Sequence, residues 1–278
     1  MSRGDIYDQG LQFDLSTLLD RRRILGLFGA VGLATLVGCA SDSASDTARA
    51  TGTGGTTTPM AASSSAATGA DCAEIPDETD GPYPGDGSNG PNVLAESGIV
   101  RSDIRSSFGS ASGRADGVPL DIDLTVLDAA NGCVPWSGAA VYLWQCDRDG
   151  NYSMYSQPIA TENYLRGVQE ADAAGGVGFT SIFPACYSGR WPHIHFEVYP
   201  SLADASSAAN KIATSQLAFA EDSCQSVYAT SGYEQSVQNL AQVSLDTDNV
   251  FGDGHDTQLG TVTGDITSGL TVSLTVAV

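Results

Sequence analysis

Residues Ser188–Pro200 read Ser-Gly-Arg-Trp-Pro-His-Ile-His-Phe-Glu-Val-Tyr-Pro, and this stretch indicates how the surrounding chain folds. Successive side chains of a β-strand point to opposite faces of the sheet. The apolar face of a strand at this position consists of Ile194, Phe196 and Val198. Its polar face consists of His193, His195, Glu197 and Tyr199. We therefore expect a core on one side and two neighbouring imidazoles on the opposite surface.

Two imidazoles held by one rigid strand can bind a single metal ion. A pair of ordinary histidines on a polar strand face is the alternative interpretation. The neighbouring residues favour the metal site, because Tyr187 and Arg190 lie just before the strand. A further tyrosine, Tyr152, follows an Asp149-Gly150 turn.

Short stretches of alternating apolar and polar residues, separated by glycine-containing turns, extend from Pro119 to the C-terminus. This pattern is typical of an all-β protein and predicts an antiparallel β-sandwich with long active-site loops. The best helix prediction is a short one over residues 233–243. The predicted strands cover residues 119–126, 139–144, 177–183, 193–199 and 215–219, and residues 258–278 are predicted to form a hairpin.

Sandwich proteins usually carry their functional residues on loops and strand ends. Tyr152 lies just past the second predicted strand, Tyr187 lies just past the third, and His193 opens the fourth. Three neighbouring strand ends can therefore bring these residues to one point.

Composition excludes some function classes. The chain has 278 residues, of which 33 are acidic and 12 basic, for a formal net charge of −21. Such a surface repels phosphate groups, so we expect no nucleic-acid partner. Strong acidity with Lys211 as the single lysine fits a protein that works in high salt, and it equally fits an ordinary well-solvated surface.

The N-terminus has the pattern of a targeting sequence. Arg21-Arg22-Arg23 precede an apolar stretch that is too short to span a bilayer and that ends at Leu36-Val37-Gly38-Cys39. This predicts a twin-arginine-type lipoprotein signal peptide over residues 1–39, with lipidation of Cys39 as the only membrane attachment. Residues 40–71, rich in Ser, Thr, Ala and Gly, are predicted to be a flexible linker to a folded domain over residues 72–278. We therefore expect an exported, lipid-anchored protein.

Five cysteines remain if Cys39 is lipidated: Cys72, Cys133, Cys146, Cys186 and Cys224. Disulfides are expected in an oxidising compartment, and an odd number allows at most two bridges within the chain. The sequence does not indicate which cysteines pair. The absence of any Cys-x-x-Cys spacing argues against a cysteine metal site.

The chemistry of the tyrosines indicates which metal to expect. A phenolate is a hard oxygen donor, and its formation at neutral pH requires a strong Lewis acid such as Fe(III). Two phenolates and two neutral imidazoles suit that ion. Glu197 offers a carboxylate as a different third ligand, so a ferrous or a zinc site stays open at this stage.

Three segments closely resemble the intradiol ring-cleavage dioxygenases, which include the catechol and protocatechuate dioxygenases and exported relatives. They are Gly150-Asn151-Tyr152-Ser153, Phe183-Pro184-Ala185-Cys186-Tyr187 and Arg190-Trp191-Pro192-His193-Ile194-His195-Phe196. Thr79-Asp80-Gly81-Pro82-Tyr83-Pro84 is similar to the N-terminal segment of the family, and Val100-Arg101-Ser102-Asp103-Ile104 follows it as in the exported branch.

The resemblance implies a set of roles. Tyr152, Tyr187, His193 and His195 would bind Fe(III), and Tyr187 would leave the metal when a catecholic substrate binds. Arg190 would stabilise negative charge in the transition state. Gln216 would match a glutamine that lies behind the metal ligands in that family, with an ordinary strand residue as the alternative. The family reaction uses O2 to cleave the ring to a cis,cis-muconate-type diacid.

Other function classes remain at this stage. One is a non-catalytic β-sandwich that binds partners at the cell surface, and another is a metalloenzyme that uses zinc or copper. The sequence identifies neither a particular catechol nor the oligomeric state, so a homo-oligomer stays open. His255 lies outside the matched segments and is expected to be a surface-loop residue.

Overall fold

The computed structural model describes residues 72–278, and the first strand, β1 (Pro119–Asp128), has the alternation that its sequence predicts. Ile122 and Leu124 are buried, whereas Asp121 and Asp123 are exposed. One face of β1 therefore belongs to the core and the other faces solvent.

The remaining elements follow in chain order. The strands are β2 (Val134–Pro135), β3 (Ala140–Trp144), β4 (Arg166–Glu170), β5 (Gly176–Ile182), β6 (His193–Tyr199), β7 (Ala213–Ala218), β8 (Thr261–Asp265) and β9 (Gly269–Ala277). The α-helices are α1 (Glu221–Tyr228) and α2 (Glu234–Leu240). Neither helix has the length and apolar character that crossing a membrane would require.

The strands form the two sheets of a sandwich, as the sequence predicts. In the first sheet the order is β2-β1-β9-β8, and β5 also pairs with β1. The second sheet has the order β4-β3-β6-β7. One detail of the antiparallel prediction is wrong, because β9 runs parallel to β1, from Leu120 opposite Leu270 to Leu127 opposite Ala277. A parallel pair needs a long connection, and residues 129–268, most of the described domain, lie between these two strands.

The main core lies between the sheets. The inward face of β1 packs with the apolar residues of β6, Ile194, Phe196 and Val198, in one hydrophobic cluster. This confirms which residues of β6 face the core. The predicted strands and the helix over residues 233–243 are confirmed to within a few residues, whereas β2, β4 and α1 were missed. The sequence of β4, Arg-Gly-Val-Gln-Glu, has no alternation from which it could be predicted.

The polar face of β6 is not on the surface, which corrects the sequence-based expectation. His193 is 2% exposed and His195 is 3% exposed. Loop residues pack over this side of the second sheet in a separate hydrophobic cluster that includes Val93, Leu94 and Tyr152. The alternation of side chains along a strand shows which residues share a face, but it does not show whether loops from distant parts of the chain cover that face.

A disulfide joins Cys72 to Cys133, with 5.7 Å between their Cα atoms. Cys146, Cys186 and Cys224 are free and buried. The described part of the chain thus has one bridge, within the limit of two that the cysteine count sets. The predicted signal peptide (residues 1–39) and linker (residues 40–71) lie outside the described residues.

Candidate metal centre

A tight turn after β3 leads the chain to Tyr152. The Asp147 carboxylate accepts hydrogen bonds from the backbone N–H groups of Asp149 and Asn151, at 3.0 and 2.9 Å. Gly150 has a φ of 85°, a left-handed conformation that favours glycine. A Cβ atom at Gly150 would lie 3.1 Å from the Cβ of Tyr187, so glycine also lets the two tyrosine-bearing loops meet.

Helix α2 holds the backbone just before Tyr187. The backbone N–H of Cys186 donates to Ser236 Oγ at 3.0 Å, and Asn239 Nδ2 donates to the carbonyl of Cys186 at 2.8 Å. Both polar groups of the Cys186 backbone are therefore bound by one helix. This anchoring restricts the position of the next residue, Tyr187.

Four donor atoms converge at the ends of these strands. His193 Nε2 lies 3.1 Å from His195 Nε2, 3.4 Å from Tyr152 Oη and 3.3 Å from Tyr187 Oη. Ligand atoms that share one ion at bond lengths of about 2.1 Å are separated from adjacent ligands by about 3 Å. The four atoms are thus spaced as ligands of a single metal ion would be.

The tautomer of His193 suits metal binding. Its Nδ1 lies 2.5 Å from the carbonyl oxygen of Trp191, so Nδ1 carries the proton and Nε2 presents a lone pair to the cluster. Burial, together with the charge of Arg190, lowers the pKa of His193. Burial also lowers the pKa of His195 well below its usual value. Both imidazoles are therefore neutral.

Tyr152 would need a cation to lose its proton. Burial, followed by the effect of Tyr187, raises the pKa of Tyr152 well above its ordinary value of 10. A buried phenolate is stable only where a positive charge offsets the lost hydration. The donor set of two phenols and two neutral imidazoles can therefore hold a metal cation, whose charge would stabilise the phenolates.

Arg190 and Gln216 lie beside the four donor atoms. Arg190 Nη2 donates to Gln216 Oε1 at 2.7 Å, and both residues are buried. Burial would lower the pKa of Arg190, but the neighbouring Tyr187 and Asp248 raise it, so the guanidinium keeps its charge. The structure therefore brings all six sequence-predicted site residues into one region: Tyr152, Tyr187, Arg190, His193, His195 and Gln216.

Several residues around this region were not predicted from sequence. Trp144 stacks on His195, with 4.8 Å between ring centroids, and Tyr83 lies 5.0 Å from Tyr152 by the same measure. Arg166 is buried and donates to the carbonyl oxygens of Tyr83 and Ser153, so it joins the two segments that carry these tyrosines. Trp144 and Arg166 occur in stretches without a recognisable motif, whereas Tyr83 belongs to the segment over residues 79–84 that carries part of the resemblance. Only the fold shows that all three lie at the site.

Tyr155 and Tyr164, two tyrosines between Tyr152 and Tyr187 in the sequence, do not join the cluster, and neither does His255. Tyr155 donates to Asn89 Oδ1 at 2.8 Å, and Tyr164 donates to Asp147 Oδ2 at 3.2 Å. His255 is half-buried, with Nδ1 3.2 Å from the carbonyl oxygen of Phe251. These hydrogen bonds indicate that the three side chains have structural roles and are not part of the four-atom cluster.

Glu197 does not supply a carboxylate to the two histidines, which removes the basis for the ferrous and zinc sites considered from sequence. Its Oε1 accepts from Lys211 Nζ at 2.8 Å, and its Oε2 accepts from Tyr199 Oη at 2.6 Å. Both oxygens of the Glu197 carboxylate therefore have partners of their own. Glu197 lies two residues after His195 on β6.

Lys211 neutralises an acidic cluster made of Asp80, Asp86 and Glu197, whose carboxylate oxygens lie within 4.8 Å of one another. Its ammonium lies 3.3, 3.8 and 2.8 Å from these three carboxylates. The single lysine of the chain thus provides the positive charge that an ion would otherwise supply there.

We expect Lys211→Met to destabilise the protein, because the change leaves buried carboxylates without a counter-charge. Lys211 is 25% exposed, so the loss should be about 2–3 kcal/mol, at or below the lower end of the range for fully buried pairs. Burial raises the pKa of Glu197 to about 7, although Lys211 opposes this. The measurement is urea unfolding of metal-free protein at pH 5 and pH 8.

The sign of the pH effect follows from Glu197. Its carboxyl binds a proton more tightly in the folded than in the unfolded protein, so stability falls as the pH rises from about 4.5 to about 7. Without Lys211 the pKa of Glu197 rises further, so the fall in stability extends to higher pH. The variant should therefore lose more stability at pH 8 than at pH 5, and Glu197→Gln should recover part of it. Equal losses at both pH values would contradict this account.

Comparison with known proteins gives matches among solved structures. The intradiol ring-cleavage dioxygenase from Tetranychus urticae is 26% identical, with a TM-score of 0.59, and the match covers 74% of this chain and 94% of that one. A second solved dioxygenase is 27% identical, with the same coverage and a TM-score of 0.58. No protein-family model matches the chain, and neither does any curated protein.

These similarities agree with the site. The tyrosines and histidines that converge are those of the Tyr…Tyr…Arg-x-x-His-x-His order in the sequence. Fold, residue order and geometry thus agree with one another, and the chain is similar in structure to intradiol ring-cleavage dioxygenases.

Proposed function

We propose that this protein uses Fe(III), bound by Tyr152, Tyr187, His193 and His195, to cleave a catecholic aromatic between its two hydroxyl-bearing carbons. The product would be a cis,cis-muconate-type diacid that contains both atoms of O2. The observation that carries the proposal is the convergence of two phenol oxygens and the imidazole nitrogen of His195 within hydrogen-bond distance of His193 Nε2. The catechol supplies all the electrons, so no external reductant is needed.

A ferric ion, when bound, supplies a Lewis acid that polarises the two catechol oxygens and makes the ring reactive toward O2. The chain supplies a dry environment, because Tyr152, His193 and His195 are all at most 3% exposed. Water exclusion strengthens the electrostatic interactions within the site.

The two tyrosines differ in access, and this suggests different roles. Tyr187 is half-buried, whereas Tyr152 is fully buried. We infer that Tyr187 Oη is the oxygen that accepts a proton from the incoming catechol. Tyr152 would keep its position throughout turnover.

Arg190 would stabilise negative charge as it develops on the substrate. Burial is the main cause of the lowered pKa of His193 and of His195, and the charge of Arg190 lowers both further. A preorganised positive charge in a dry site favours a transition state that carries negative charge.

The first test is a visible spectrum of purified protein before and after catechol is added, with metal analysis and product identification. A ferric phenolate site should give a broad charge-transfer band that shifts with catechol, and the product should be the diacid. A colourless protein that stays colourless after ferric iron is supplied, or one that contains zinc or copper, would contradict the proposal.

We also propose that the protein works outside the cytoplasm, attached to the membrane through a lipid on Cys39. The Cys72–Cys133 disulfide supports an oxidising compartment. In a host that processes lipoproteins, the full chain should fractionate with membranes, and Cys39→Ala should release it. An unchanged distribution of the variant would contradict the anchor.

A further inference from the structure

Asp248 is a buried carboxylate whose two oxygens are fully engaged. Its Oδ2 accepts hydrogen bonds from Arg190 Nε at 3.0 Å and from the backbone N–H of Trp191 at 2.6 Å. Its Oδ1 accepts from the backbone N–H groups of Val250 and Phe251, at 2.8 and 3.2 Å. Four donors and no acceptor face this side chain, so it is held as the charged carboxylate.

The pair formed by Asp248 and Arg190 is buried on both sides, with side-chain exposures of 0% and 4%. The other end of the guanidinium donates to Gln216, and Gln216 Nε2 donates to the carbonyl oxygen of Thr79 at 2.9 Å. Arg190 is therefore held at two separate nitrogens. A long arginine side chain has many rotamers, and this arrangement restricts them before substrate arrives.

The segment that carries Asp248 also packs against the site. Val250 and Phe251 form a hydrophobic cluster with Trp191, and the ring of Phe251 meets that of His193 edge-on, with 6.4 Å between centroids. Residues 244–254 lie beyond the part of the sequence that carries the family motifs. They contact the site through both charge and apolar packing.

We propose that Asp248 is a positioning residue, which holds the Arg190 guanidinium in the orientation needed to stabilise negative charge on the substrate. This inference rests on the proposed function for its consequence in catalysis. The structural part of the proposal is that Asp248 fixes the position of Arg190. This part holds whatever reaction the protein catalyses. No other acidic side chain within residues 72–278 forms an ion pair with Arg190.

The test uses Asp248→Asn, which keeps the shape of the side chain and removes its charge. We expect kcat for catechol to fall by about 10-fold or more, since charged hydrogen bonds contribute more than neutral ones. KM, iron content and the charge-transfer band of the resting enzyme should change little. Asp246→Asn is the matched control, because Asp246 is an exposed carboxylate of the same segment.

A double-mutant cycle separates positioning from a general structural effect. Asp248→Asn should have little further effect on kcat in an Arg190→Met background, because there is no guanidinium left to position. An equal fold-loss in both backgrounds would overturn the proposal, as would a loss of iron or an unchanged kcat in Asp248→Asn.

A crystal structure of metal-free Asp248→Asn gives a readout without activity. Arg190 should no longer reach Gln216, whereas an unmoved Arg190 would overturn the proposal whatever reaction the protein catalyses. If Arg190 moves but the unaltered protein neither binds iron nor cleaves catechol, the positioning role stands and the proposed function fails.

Discussion

Replacing Tyr152 with phenylalanine is expected to remove iron binding and turnover together. The change deletes one oxygen of the four-atom cluster and keeps the ring that packs beside Tyr83 and Tyr187. The loss of metal affinity and of activity should exceed 10–100-fold, the reduction that is typical when a residue around a metal, rather than one of its ligands, is replaced. His195→Ala should behave in the same way, because Nε2 of His195 lies 3.1 Å from that of His193.

The measurement is iron content per chain, with the visible spectrum and the rate of catechol cleavage. Tyr155→Phe is the matched control, because Tyr155 is a tyrosine of the same loop whose oxygen contacts Gly85 and Asn89 instead of the cluster. That variant should keep its iron and colour. A Tyr152→Phe protein with full iron and an unchanged rate would show that the ligand set is assigned wrongly.

Arg190→Ala is expected to keep the iron and to slow turnover by about 10²–10³-fold, the size of effect seen when one preorganised electrostatic group is removed. The reason is that Arg190 contacts Asp248 and Gln216 and is not one of the four converging donors. Arg148→Ala is a suitable control, because this arginine is 35% exposed and pairs with the exposed Asp116.

The same change also affects stability. Removing Arg190 leaves Asp248 as a buried charge without its partner, which costs about 3–5 kcal/mol. Thermal unfolding should therefore be measured beside turnover, and Arg190→Met combined with Asp248→Asn should recover much of the lost stability. If Arg190→Ala lost iron, the arginine would be needed to hold the metal site together and its role in turnover would be open.

Much of the candidate site is predictable from sequence because its chemistry is local. His193 and His195 are two residues apart on one strand, so the strand period alone places their side chains on the same face. The turns around Gly150 and the positions of Tyr152 and Tyr187 after strands follow from short patterns as well. The order of these residues then carries the family resemblance.

The partners of these residues could not be predicted in the same way. Asp248 is 58 residues from Arg190 along the chain, and no feature of its neighbourhood marks it as a partner. Lys211 reaches Asp80 across 131 residues. Contacts at such separations depend on how whole loops and strands pack, and no periodic pattern in the sequence predicts them.

The sequence by itself indicated the alternating strands and the sandwich, because backbone geometry dictates how near neighbours are arranged. Its resemblance to a known family indicated the set of two tyrosines, two histidines, Arg190 and Gln216. Only the tertiary structure decided that the histidine face is buried, that Glu197 belongs to Lys211 instead of a metal, and that Asp248 holds Arg190. These outcomes arise from the free energy of burying distant groups against one another, which exists only once the chain has folded.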